Sequence, residues 1–217
     1  MEEHTDGLQN KNQELSYEVE VGVTFASFMS AVTLFFSGLL IAGFKSFDST
    51  LKIPLLFLII STFSFIFSAS IYSNAGIEVT AHRFKSVQKY LSYSNNILEF
   101  LGLYLFILAT PLVIGAVTKD SFLRIATIVI ALTGLSLYSQ SDFSILHKEL
   151  PNKAHKLLFT FLIIVLGLGL YSSQRLTQDS KYLGYDYVAS SLLIVLVAIT
   201  FYFCHKSKQY IKNNVDF

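Results

Sequence analysis

Six stretches of this chain run nearly free of charge over lengths comparable with the thickness of a lipid bilayer, and nothing else in the sequence constrains the fold as strongly. A hydrocarbon core about 30 Å thick is crossed by about 20 helical residues. Residues 21–44, 53–73, 157–174 and 187–204 contain no charged side chain; 96–117 contains only Glu99 and 121–140 only Arg124. A charge at the centre of a membrane helix costs about 2.5–3.5 kcal/mol on insertion scales, so six such gaps are not expected by accident. Barrel strands would alternate polar and apolar residues. These stretches instead read Leu-Leu-Phe-Leu-Ile-Ile and Leu-Leu-Ile-Val-Leu-Val. The predicted class is all-α: a polytopic transmembrane helical bundle of about six spans, with Pro54 in the first turn of the second, where its missing N–H costs nothing.

Only 14% of the 217 residues are charged, against about a quarter in soluble domains. A net charge of +1 gives no general attraction to nucleic acid, and none is expected as a partner. The single Cys204 excludes an intrachain disulfide framework. Residues 1–20 form an acidic tail (Glu2, Glu3, Asp6, Glu14, Glu18, Glu20) without the cationic start of a signal peptide, so the first apolar run is expected to persist in the mature protein. The bundle proper is expected over 21–204, followed by a basic tail over 205–217.

With six spans, the two longer connections, 74–95 and 141–156, share a side with both termini. That side holds ten of the sixteen Lys and Arg residues, which places both termini in the cytoplasm by the positive-inside rule. Residues 75–92 form an amphipathic segment: Ile77, Ala81, Phe84, Val87 and Leu91 recur at steps of three and four, while Arg83, Lys85 and Lys89 take other faces. Such a segment suits a helix in the membrane interface with its basic side on anionic headgroups, or a solvated extension of the second span. Tyr72, Tyr138 and Tyr202, at similar positions near the ends of the second, fourth and sixth spans, suggest three helical hairpins, although tyrosine is enriched wherever membranes meet water.

Few residues here carry chemistry. Glu99 is the lone carboxylate within a span and is a functional candidate on that ground. Asn96 and Glu99 also have the spacing of a capping box, which makes Glu99 a helix-start residue; its alternative role is a proton or cation site paired with Arg83 or Lys89. Pro111 predicts a kink in the third span. Ser61, Ser64 and Ser68 lead at helical steps to Tyr72 and are expected either to pack helices together or to line a polar path. His147 and His155 are weak metal candidates, eight residues apart with Pro151 between them. There is no phosphate loop, no His-Glu-x-x-His and no nucleophile elbow, and no cofactor is expected.

The sequence therefore points to a membrane scaffold or accessory subunit that binds lipid, protein partners or copies of itself. A small channel or carrier using the Ser stripe and Glu99 is the alternative, and an interfacial metal or lipid enzyme a weaker one.

Overall fold

The computed structural model describes residues 2–43, 49–141, 144–145, 152–179 and 184–214. Among these the chain forms seven α-helices, one π-helical segment and no strand. The helices are α1 (Glu2–Gly43), α2 (Ser49–Thr80), α3 (Phe84–Ile97), α4 (Tyr104–Val117), α5 (Ser121–Gln140), α6 (Lys153–Asp179) and α7 (Gly184–Asn214), and the π segment (Leu98–Leu103) joins α3 to α4 without a break. Among the described residues, six stretches are long and apolar enough to cross a membrane: Gln13–Gly43, Thr50–Thr80, Phe84–Val117, Ser121–Gln140, Leu157–Thr177 and Gly184–Gln209. The architecture is an all-α bundle, as the apolar runs require.

Several helices extend beyond their uncharged stretches. The acidic residues before Val21 continue α1 upstream, and α7 runs on through the basic residues after Cys204. The third long helix starts at Phe84 rather than near Asn96. Hydropathy marks what hydrocarbon can solvate, whereas a helix continues for as long as its backbone bonds and side chains allow.

The reversal between α2 and α3 is a three-residue turn. His82 takes a left-handed conformation (φ 55°), its N–H bonds the Val79 carbonyl at 3.0 Å, and the Arg83 N–H bonds the Glu78 carbonyl at 3.0 Å. This pair of bonds is the Schellman pattern, which satisfies carbonyls that a helix end otherwise leaves bare. Residues 75–92 are thereby divided between the end of α2 and the start of α3. Val87 and Leu91 turn into the bundle, while Lys85 and Lys89 stay exposed. At the start of α5, Asp120 caps the helix by accepting from the N–H groups of Phe122 and Leu123 at 2.8 and 3.0 Å.

Successive helices pair as hairpins: α1 packs on α2, α4 on α5 and α6 on α7. The central pair is α2 and the Phe84–Val117 helix, which lie against each other along much of their length. Two glycines allow close approach to α2, one from the central helix and one from α1. A Cβ on Gly102 would stand 2.7 Å from the Phe65 ring, and one on Gly22 of α1 would stand 2.5 Å from the Tyr72 ring. The larger core cluster contains Phe57, Phe100, Tyr104, Leu108, Leu170 and Leu192. Phe100 stacks on Phe203 of α7 with centroids 5.5 Å apart and meets Tyr104 edge-on. A second cluster (Val19, Ala26, Phe65, Tyr72, Val87, Leu91) binds α1 to α2 and α3. Outside these clusters, large apolar side chains face outward, among them Phe28, Leu34, Phe122, Ile130, Phe161 and Phe201.

Pro54 departs from expectation. Because α2 begins at Ser49, the proline lies inside the helix, past the first turn. There it removes the N–H that would bond the carbonyl four residues back, that of Thr50. The Thr50 carbonyl accepts instead from Gln174 Nε2 of α6 at 3.4 Å and from the Tyr185 hydroxyl of α7 at 3.5 Å. Gln174 also donates to the Leu112 carbonyl of α4 at 2.7 Å. One buried amide thus joins three helices at the site of a missing backbone bond. Gln174→Leu should lower stability by about 0.5–2 kcal/mol, the range for such bonds between membrane helices. Thermal or denaturant unfolding in detergent reads this loss. In a Pro54→Ala background, where the backbone again has its own donor, the loss should shrink.

Candidate functional site

Glu99 is not at a helix start. Asn96 lies in the last turn of α3, inside a helix that began at Phe84, and donates no cap. The capping-box spacing misleads because residues three apart share a face in a helix interior as well as at its start. Glu99 lies instead in the π segment, whose widened turn closes when the Tyr104 N–H bonds the Glu99 carbonyl five residues back. Single π turns of this kind occur frequently at functional sites.

The carboxylate of Glu99 is almost fully buried and gathers four donors. Its Oε1 accepts from the Ser144 hydroxyl at 2.7 Å and the Tyr104 hydroxyl at 3.3 Å. Its Oε2 accepts from the Ile145 backbone N–H at 2.8 Å and the Tyr138 hydroxyl at 3.5 Å. Tyr104 is five residues away, a spacing that does not bring side chains together on an ordinary α-helix. Tyr138 comes from the last turn of α5, and Ser144 and Ile145 from just beyond it. The cations named as partners for Glu99 are placed elsewhere: Arg83 lies 3.6 Å from Glu78, and Lys89 lies 5.8 Å from the centre of the Tyr93 ring.

Beside this knot is a cavity of about 380 Å³ between α1, α2, the π segment and α5. Glu18, Tyr72, Asn95, Glu99 and Tyr138 give it polar walls, and Phe25 and Leu103 apolar ones. The Tyr72 hydroxyl donates to Asn95 Oδ1. A second hollow of about 270 Å³ shares Glu18, Asn95 and Ile145 with the first and extends it toward Gln88 and Ser92 of α3.

The Ser stripe of α2 divides between two surroundings. The Ser61 hydroxyl donates to the Gly102 carbonyl at 2.7 Å. Ser68 and Ser94 exchange bonds, each hydroxyl donating to the other's carbonyl at 3.1 and 2.7 Å. Tyr72 completes this inward row. Ser64 instead bonds the Ile60 carbonyl of its own helix and borders an outer groove. Other pairs of helices are joined similarly, through Thr62 with Thr33 and Ser139 with Thr160, each at 2.8 Å. Pro111 is buried within a continuous α4 and lines a separate pocket with Arg124 and Gln174, apart from Glu99.

Lys85 remains exposed at the start of α3. His147 and the side chain of His155 lie outside the described residues. Among those described, no group of three or more His, Cys, Asp or Glu residues stands close enough to share a metal ion. Sequence reading did not find Glu18, Asn95, Tyr104, Ser144 or the Ile145 N–H. Tyr138 it found only as part of a repeat. No family model, curated protein or solved structure matches the chain.

The knot has a sharp mutational signature. In Glu99→Gln the amide oxygen can take the place of Oε2 and accept from the Ile145 N–H, while the NH2 group donates to hydroxyl oxygens that can rotate. Its stability should fall by less than about 1 kcal/mol. Glu99→Leu leaves the Ile145 N–H and three hydroxyls without their acceptor and should cost about 2–3 kcal/mol. Unfolding midpoints in detergent, with hydrogen exchange of the Ile145 amide, distinguish the two.

Proposed function

We propose that this chain is a multi-pass integral membrane protein, with both termini on the cytoplasmic side, that serves as a non-catalytic scaffold or accessory subunit. Two physical arguments support the membrane setting. The outward surface is rich in large aliphatic and aromatic side chains, which water solvates poorly and lipid solvates well. The inward polar groups are the small hydroxyl residues that let helices approach and bond across the contact. The sidedness rests on the Lys and Arg excess around the termini and the two longer connections.

The observation that carries the scaffold reading is what the Ser stripe does. Ser61, Ser68 and Tyr72 spend their hydroxyls on the neighbouring Phe84–Val117 helix, and so hold the bundle in one arrangement. A stitched wall suits a protein whose role is to present fixed surfaces to lipid and to partners. Arg83, Lys85 and Lys89, together at one end of α3, are suited to anionic headgroups on that side.

A specific observation favours a second reading. Glu99 borders a cavity large enough for a small solute, with Glu18 and two tyrosines around it. A carrier for a small cationic or hydrogen-bonding solute would use that site.

Three measurements test these readings. The chain should resist extraction by alkaline carbonate; release without detergent would end the membrane reading. With Cys204 replaced by Ser, a cysteine at Lys119 should react with an impermeant maleimide from outside intact cells, and one at Ser16 should not. The reverse pattern would invert the topology. Proteoliposomes should pass protons and small cations no faster than empty liposomes. Flux that Glu99→Gln abolishes, in a variant that keeps its fold, would replace the scaffold with the carrier.

A further inference from the structure

The outer face of the bundle carries a groove of about 680 Å³ between α2, the junction of α3 with the π segment, and α7. Its walls are Phe63 and Phe67 of α2, Ile97 and Leu101 of the central helix, and Val197 and Phe201 of α7. The hydroxyls in the wall are already used: Ser64 bonds the Ile60 carbonyl and Thr200 the Leu196 carbonyl, each at 2.8 Å. Along most of its length the groove therefore offers contact alone.

One end differs. There Tyr93, Cys204, His205 and Lys208 border the groove, and Lys89 stands over the Tyr93 ring at 5.8 Å. Among the described residues, no carboxylate lines it. From Val197 to Lys208 the wall rises about 16 Å at 1.5 Å per helical residue. That is close to half of a hydrocarbon core about 30 Å thick, the depth of one leaflet.

We infer that this groove seats an acyl chain of an anionic phospholipid, with the phosphate held at Lys208 and the chain along Phe63, Phe67 and Phe201. The inference rests on the membrane reading above and names the lipid that the bundle selects. Apolar length gives affinity for any chain, and the cations at one end give the preference for negative charge. A helix of another protein fits less well, because close helix approach uses small residues whereas Phe, Ile, Leu and Val form these walls. A second outer groove, of about 510 Å³ between α1, α2 and α4, sharpens the contrast: Leu39, Leu58, Phe106 and Val113 help line it and, among the described residues, no charged side chain does.

The chain's single cysteine reports on the charged groove, since Cys204 lines it and is half-buried. The full-length protein in an uncharged detergent is alkylated with a small maleimide while phosphatidylglycerol or phosphatidylcholine is added. Phosphatidylglycerol should slow the reaction at least about fivefold, the scale set by one cation near an anionic headgroup, and phosphatidylcholine less than about twofold. Lys208→Glu should abolish the difference between the lipids and Lys208→Arg should keep it, with helical content and gel-filtration volume unchanged in both. Equal protection by the two lipids, protection by neither, or protection that follows protein concentration instead of lipid would overturn the inference. Carbonate extraction is a separate readout: a chain that stays in the membrane but whose Cys204 ignores headgroup charge loses the groove assignment alone.

Discussion

Many polar atoms in the interior of this bundle are satisfied by partners on other helices, and those bonds explain much of what is distinctive in the structure. Burying an amide or hydroxyl without a hydrogen bond costs several kcal/mol in a medium that offers none in return. Pro54 shows that cost being met on the backbone. The ring removes one donor, and a glutamine and a tyrosine from two other helices arrive at the carbonyl left bare. Ser68 and Ser94 meet the same need reciprocally, each serving the other's backbone. Such bonds are individually weak, but they act between different helices, so together they fix how α2, the central helix and α6 are placed.

Glu99 is the most demanding case. A carboxylate has several acceptor sites, and in this bundle it can be buried only where donors converge from more than one element. The π segment makes the convergence possible. Its widened turn brings Tyr104 to the same side as Glu99, and Tyr138 and the chain just after α5 supply the remaining donors. The carboxylate thereby ties the end of α5 to the central helix. The cavity beside it has a polar side because Glu99 and its donor Tyr138, with Tyr72, Asn95 and Glu18, form part of its walls.

The large features of this fold were legible in the sequence because they follow from hydropathy, which averages over many residues. Six apolar runs predicted six long helices, and the Ser and Thr residues within them were recognisable as groups that join helices. Helix boundaries were less legible. The stretch before Asn96 is polar enough to look like a loop, yet Val87, Leu91 and Ser94 give it a buried face and it folds as the first part of the third long helix. The capping-box reading of Glu99 failed for a related reason: Asn-x-x-Glu is one spacing with two meanings, and only the position of the helix start separates them. The π segment has no sequence signature to read, since one extra residue in a turn leaves composition and periodicity almost unchanged. Tyr104 and Ser144 could not have been joined to Glu99 without it. The three tyrosines of the apparent repeat also diverge in the fold: Tyr72 and Tyr138 point inward to polar partners, while Tyr202 faces outward.

The central helix also separates two openings of opposite character. Tyr93, Ile97 and Leu101, four residues apart, face the groove that Lys208 borders, with Lys89 over the Tyr93 ring. Asn95, Glu99 and Leu103 face the cavity that holds two carboxyl groups. A helix with its side chains is only about 10–12 Å across, so the two sites are near neighbours in a region of low dielectric. One helix thus separates an opening bordered by basic side chains from one bordered by carboxyl groups. The bonds from Ser61 and Ser68 hold that helix against α2, which fixes the placement of both openings.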